Sequence, residues 1–181
     1  MKLVVVGGVA AGMSAAARAR RLDEKADIIV LERSAYVSFA NCGLPYHISN
    51  VIAERDALLL QTPQSLRRML NLDVRVLSEV VAIDRAVRKV TVRETVTGRQ
   101  YEESYDHLVL APGAKAMRLT LPGADHPAVM ELRTMDDMDA IIARVKTGAN
   151  RAVVMGGFIG IEAAESLKAK GLDVTLSLIH I

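Results

Sequence analysis

Along the chain, short β-branched runs alternate with stretches of helical period. Lys2 to Val6 reads as a strand, a glycine-punctuated turn follows, and Met13 to Leu22 reads as a helix ending before a second strand, Asp27 to Leu31. This is a β-α-β start. From about Gly43 to Leu72 the periodicity is helical, with a break at Thr62-Pro63 where Thr62 can cap a helix that starts at Pro63. At Asp73 the pattern changes to alternation: Asp73 to Val76, Ser78 to Ile83, Lys89 to Thr95 and Gln100 to Ser104 are expected strands, with Thr97-Gly98 as a hairpin turn. A buried strand, His107 to Ala111, then runs into Pro112-Gly113. Beyond Pro122, Gly123 and Pro127 the pattern predicts a helix near Thr134 to Lys146, a strand at Arg151 to Met155, a helix at Ile161 to Lys170 and a strand at Asp173 to Leu176.

This order predicts an α/β fold: a three-layer, Rossmann-like domain with an inserted β-meander over residues 1–122, and the start of a second Rossmann-like domain over 123–181. Two parallel strands with one crossover helix cannot cover both faces of a sheet, so the second unit is expected to be the beginning of a larger one.

Composition narrows the function classes. With 51% hydrophobic and 24% charged residues among 181, the chain can bury a full core. The net charge of +2 is scattered and aromatic residues make up 3%, which argues against nucleic acid as a partner. Lys2 with Leu3 to Val6 and Ser14 to Ala17 imitates a secretory signal, but Gly7, Gly8 and Gly12 break the apolar run. No apolar stretch reaches the ~20 residues of a membrane span. A cytoplasmic protein with no membrane contact is expected. The single cysteine leaves open a reactive thiol in a reducing compartment and removes any cysteine-based metal site. His47, His107, His126 and His180 lack metal-ligand spacing, so no metal is expected and no histidine is put forward as a catalytic base.

Two glycine turns and one thiol carry the chemistry. Gly7-Gly8-Val9-Ala10-Ala11-Gly12 lies between a strand and a helix, where backbone amides and the helix dipole suit a pyrophosphate. Glu32 closes the second strand twenty residues beyond Gly12, placed for a ribose hydroxyl. The second turn, Met155-Gly156-Gly157-Phe158-Ile159-Gly160 with Glu162 just inside the helix, supports a nicotinamide nucleotide. It departs from the fingerprint at Met155, and the acid expected after the next strand is missing from Leu178, Ile179 and His180. Cys42 precedes Gly43-Leu44-Pro45, so the thiol is expected near a helix N-terminus, which favours the thiolate used in disulfide exchange. Ser38 and Asn41 beside it argue for a pocket rather than a core. Ser14, Arg18 and Arg21 share one face of the first helix, which on the residues alone reads as a solvated face.

With these residues in view, the chain resembles the pyridine nucleotide-disulfide oxidoreductases of the single-cysteine group, on the side of coenzyme A-disulfide reductases and their NADH oxidase and polysulfide reductase relatives. The resemblance runs to about Leu176. It is carried by Ser38-Phe39-Ala40-Asn41-Cys42-Gly43-Leu44-Pro45-Tyr46, Ala57 to Pro63, Tyr105 to Gly113 and Gly157 to Glu162. It implies that Gly7 to Gly12, Glu32 and Arg33 hold FAD, that Val80, Ala111, Pro112 and Gly113 flank it, and that Cys42 is the redox thiol. It implies NAD(P)H at Gly156 to Gly160 and Glu162. For the helix face it implies the opposite of solvation, with Ser14, Arg18, Arg21, Ser38 and Asn41 contacting coenzyme A as substrate or mixed-disulfide partner. Full-length members add a dimerisation domain, so a homodimer is implied. Persulfide, polysulfide or oxygen as acceptor is the alternative within the fold; a non-catalytic FAD-binding fragment is the alternative of another class. Ser177 to Ile181 departs from the expected acid-ended strand and reads as a foreign end.

Overall fold

The computed structural model describes residues 1–116 and 120–177. In chain order its elements are β1 (Lys2–Val6), α1 (Ala10–Leu22), β2 (Asp27–Leu31), α2 (Leu44–Ile48), α3 (Pro63–Leu70), β3 (Asp73–Arg75), β4 (Ser78–Asp84), β5 (Lys89–Glu94), β6 (Gln100–Ser104), β7 (His107–Leu110), α4 (Met135–Lys146), β8 (Arg151–Met155), α5 (Phe158–Ala169) and β9 (Asp173–Ser177). Single 3-10 turns occupy Asn41–Gly43 and Arg55–Leu58. Residues 1–39 with 59–114 form one compact unit, and residues 40–58 with 115–181 form the other. Leu178, Ile179 and His180, where an acid was expected, and the Ser177 to Ile181 end lie outside the described residues, apart from Ser177, which ends β9.

The first unit is built on a four-stranded parallel sheet of order β3-β2-β1-β7. Strand alternation divides its residues between two cores. Leu3, Val5, Ile28 and Val30 pack with Met13 and Ala16 of α1 and Leu66 of α3. Val4, Ile29 and Leu31 point the other way, against Val90 and Val92 of the antiparallel β4-β5-β6 sheet. The layers are therefore helices, parallel sheet and meander, which bears out the expected three-layer α/β class. A strand covered on both sides has no solvent face, and this is why β1 and β2 run apolar without alternation from Leu3 to Val6 and from Ile28 to Leu31.

Two expectations need correction. Asp73 to Val76 does not begin the meander: β3 pairs in parallel with β2, Val30 opposite Val74, and the chain reverses at Leu77, whose φ is 53°. Residues 43–72 are interrupted before the expected break at Thr62-Pro63 as well. α2 ends at Ile48, Asn50 takes a φ of 66°, and a 3-10 turn intervenes before Thr62 caps α3 through a reciprocal bond with Ser65.

Buried and paired charges fasten the first unit. Arg20 donates to the carbonyls of Asp23, Glu24, Leu70 and Asn71, joining the ends of α1 and α3. Glu103 accepts from Lys2 Nζ at 2.6 Å and Arg75 Nη1 at 2.7 Å, and Arg75 also bonds Asp73 at 2.6 Å. Burial pushes the Glu103 carboxyl up, but the bonds from Lys2 and Arg75 outweigh it and hold it below the usual range. Burial likewise opposes the Arg75 charge, and the bonds to Asp73, Tyr101 and Glu103 more than restore it.

The second unit holds the parallel β8-β9 pair, α4, α5 and α2. α2 packs on both α4 and α5, and Leu44, Ile48, Leu58, Met135 and Met138 are fully buried. The base of segment 40–58 is closed by the Ala40 amide on the Leu58 carbonyl at 2.8 Å. In the first unit the flanking residues Phe39 and Leu59 form an isolated antiparallel bridge.

Candidate functional site

In the first unit the chain leaves β1 through a turn with no room for side chains. Gly7 has a φ of 97°, and a Cβ there would lie 2.0 Å from the Ala111 carbonyl oxygen; one on Gly12 would lie 1.8 Å from the Gly7 oxygen. Only glycine fits at these two contacts. α1 then starts at Ala10, not at Met13 as the pattern suggested, because a glycine turn and not a polar cap begins it. Val9 supplies no side-chain cap, no acid lies in the first turn, and the helical ladder begins with the Met13 amide on Val9 O. The Ala10, Ala11 and Gly12 amides thus have no intrahelical acceptor, an arrangement that suits an anion.

Glu32 organises this turn. Its Oε2 accepts from the Gly8 amide at 2.7 Å and its Oε1 from the Ser34 amide at 2.8 Å, with the residue 6% exposed. Each oxygen keeps a second lone pair for a hydroxyl. Gly8 packs on the Glu32 and Val37 side chains, and its carbonyl accepts from the Ser38 amide at 2.8 Å. Ser38, at a φ of 49°, is held on its other side by Leu60 N. Arg33 is exposed; Val80 is half-buried against the Val4 core beside a β-bulge; Pro112 and Gly113 are exposed beyond Ala111. The cradle that a Cβ would fill, the uncapped amides and the carboxylate together fit a dinucleotide such as FAD. Ser14, Arg18 and Arg21 are all exposed on α1.

The second unit carries the thiol. Cys42 is exposed in the 3-10 turn Asn41–Gly43, its Sγ 3.9 Å from Asn41 Oδ1. The helix after it has five residues, with Pro45 in its first turn, so the dipole expected to favour the thiolate is that of little more than one turn. Gly43 is buried so closely on Leu58 that a Cβ would come within 2.5 Å of Leu58 Cδ2. His47 Nδ1 lies 2.7 Å from Ile52 O; because a carbonyl only accepts, that nitrogen carries the proton.

The second glycine turn is also in this unit. α5 starts at Phe158 rather than Ile161, with Gly157 as a cap that makes no side-chain bond and Gly156 at a φ of 141°. Phe158 and Ile159 are exposed, Glu162 is half-buried, and a Cβ on Gly157 would meet nothing within 4 Å. Sequence reading missed one contact of this unit, the Arg55–Asp139 pair, since residues 84 apart leave no trace in local spacing.

Among the described residues no group of three or more His, Cys, Asp or Glu could hold a metal, and no helix is long and apolar enough to cross a membrane. An open cleft of about 650 Å³ lies between Arg75, Ser78, Glu94 and Arg99. Its charges are paired with one another, Arg75 with Glu103 and Arg99 with Glu94, which leaves it no evident ligand.

The chain belongs to the pyridine nucleotide-disulphide oxidoreductase family, whose model matches residues 1–179. It is 42% identical over 177 residues to the coenzyme A disulfide reductase of Staphylococcus haemolyticus, covering 97% of this chain and 40% of that protein. The crystal structure of reduced Bacillus anthracis CoADR-RHD superposes with a TM-score of 0.95 at 47% identity, over 98% of this chain and 32% of that one. An NAD-dependent persulfide reductase from A. fulgidus gives 0.93 at 38% identity, over 97% and 33%. The chain therefore spans about 40% of the length of the curated relatives it matches.

Proposed function

We propose that the protein is an FAD-dependent NAD(P)H:disulfide oxidoreductase that reduces coenzyme A disulfide. The observation that carries this reading is Cys42, exposed in the Ser38 to Tyr46 run. FAD, when bound, would pass the two electrons of an NAD(P)H hydride to disulfide sulfur. Gly7, Gly8, Val9, Ala10, Ala11 and Gly12 would hold its pyrophosphate, Glu32 its ribose with Arg33 beside it, and Val80, Ala111, Pro112 and Gly113 its flanks. Gly156 to Gly160 and Glu162 would receive NAD(P)H. The Cys42 thiolate attacks one sulfur of the disulfide, forming Cys42-S-S-CoA and releasing one coenzyme A thiolate that takes a proton from water. Two electrons and a second proton then return the Cys42 thiolate and a second coenzyme A thiol. Arg18 and Arg21 would pair with substrate phosphates, and Ser14, Ser38 and Asn41 would hydrogen-bond the same molecule.

The division at residue 122 into an FAD part and a nicotinamide part belongs to this proposal, as do a homodimer and a cytoplasmic location. The 38% identity to a persulfide reductase favours persulfide as the second reading. The test is turnover by full-length protein with coenzyme A disulfide and with a persulfide, using NADH and then NADPH. Cys42→Ser is expected to lower coenzyme A disulfide turnover roughly a hundredfold or more. Equal rates with and without the thiol would overturn the reading, and turnover of persulfide alone would select the second.

A further inference from the structure

We propose that the Arg55–Asp139 ion pair is a positioning clamp for the Cys42 thiol. Arg55 opens the 3-10 turn that closes with Leu58. Its Nε lies 3.0 and 3.1 Å from the two Asp139 carboxylate oxygens, and its Nη2 lies 2.7 Å from Oδ2. This is a forked, two-sided grip, which fixes direction as well as distance. Asp139 stands on α4 one position beyond the buried Met138 and one turn beyond the buried Met135, so it shares the face that α4 packs inward.

At the other end of the turn, Leu58 is fully buried and accepts from the Ala40 amide, and its side chain lies against Gly43. Gly43 is bonded directly to Cys42. The turn is thus a short lever, gripped by α4 at Arg55 and pressed on the thiol's neighbour at Leu58. Several polar bonds of this segment are internal to it, among them His47 to Ile52 O, the Ile52 amide to Tyr46 O, and Ala40 to Leu58. The Arg55–Asp139 pair joins the segment to α4 by directional bonds.

Both partners are partly exposed, 31% for Arg55 and 42% for Asp139, so the pair contributes little to global stability. Its effect falls on where the thiol points. Holding the turn confines reagents to one side of Cys42, and releasing it opens the others.

The test is the rate at which iodoacetamide alkylates Cys42 in the full-length protein, read on the Cys42 peptide by mass spectrometry, with thermal midpoints in parallel. The readout is alkylation and not turnover, so it is independent of the proposed activity. Arg55→Ala and Asp139→Ala are each expected to raise the rate roughly threefold or more. Arg55→Lys, which keeps the charge and loses the fork, should fall between, and the exchanged pair Arg55→Asp with Asp139→Arg should return toward the parent rate. Arg151→Ala, which breaks the exposed 3.5 Å pair with Asp173 in the same unit, should leave the rate unchanged. Parent-like or lowered rates in both alanine variants overturn the proposal, as does an equal rise in Arg151→Ala. Should the alanine variants fail to fold, a parent-like rate in Arg55→Lys overturns it.

Discussion

The two strand-turn-helix units of this chain use glycine for different reasons. At Gly7 to Gly12 the backbone is pressed on itself, with Ala111 and Gly7 carbonyls standing where side chains would be, and Glu32 clamps the turn through the Gly8 amide. At Gly156 to Gly160 the nearest atoms to an added Cβ lie 3.5 Å away or farther, and nothing is near Gly157. The first turn sits on a sheet covered on both sides. The second follows a two-stranded sheet whose Val153 is 70% exposed and opens a helix whose Phe158 is 88% exposed. In this chain, then, one glycine turn is closely packed and the other is open.

Parallel substitutions in the two turns make the difference measurable. Gly12→Ala drives a methyl group into the Gly7 carbonyl and should cost about 3 kcal/mol or more, read as a large fall in the denaturation midpoint or as insoluble protein. Gly157→Ala should stay within about 0.5 kcal/mol of the parent, since its φ of −84° and ψ of −135° are close to those Val9 adopts and a Cβ there would meet nothing within 4 Å. Equal losses would mean that the two turns are equally constrained.

Glu32→Ala comes next. It strands the buried Gly8 amide and frees that of Ser34, with an expected loss of about 2 kcal/mol, whereas Glu162→Ala should scarcely move the midpoint. The smallest effect concerns the charges that fasten the first unit. Glu103 has a lowered pKa in the folded chain, so its contribution is present above the ordinary carboxylate range and is lost as pH falls through the folded value. Glu103→Gln should cost roughly 1 kcal/mol at neutral pH. It should also flatten part of the stability loss on acidification below about pH 4.5, the group's ordinary value. A parent-like acid profile in that variant would show that the Lys2, Arg75 and Glu103 bonds do not reach the unit's stability.

Much of the fold was legible because its strands are short runs with sharp ends: β1, β2 and β8 are rich in apolar residues, β6 follows the Thr97-Gly98 turn, and all four fall where the pattern places them. The α3 start was legible from Thr62 and Pro63, whose capping chemistry is local. Two helix starts were read three residues late, at α1 and α5, because helices that begin on glycine turns lack the polar cap that marks a start. β3 was misassigned because parallel pairing with β2 depends on a partner more than 40 residues away and leaves no mark on a three-residue strand. In the site, the polar neighbours Ser38 and Asn41 argued against a core position for Cys42, and the residue is exposed. The bonds of Glu32 to Gly8 and of Arg55 to Asp139 are tertiary, and only the folded chain brings those atoms together.

The closed base of segment 40–58 carries a consequence of another kind. Phe39 and Leu59 face each other across a bridge, and Ala40 bonds Leu58, so the chain departs and returns at nearly one point. A loop pinned at its root can change length at small entropic cost, because closure entropy grows only with the logarithm of length. Such a segment is a graftable module: lineages could exchange or resize the stretch that bears the thiol while the parallel sheet of the first unit keeps its register.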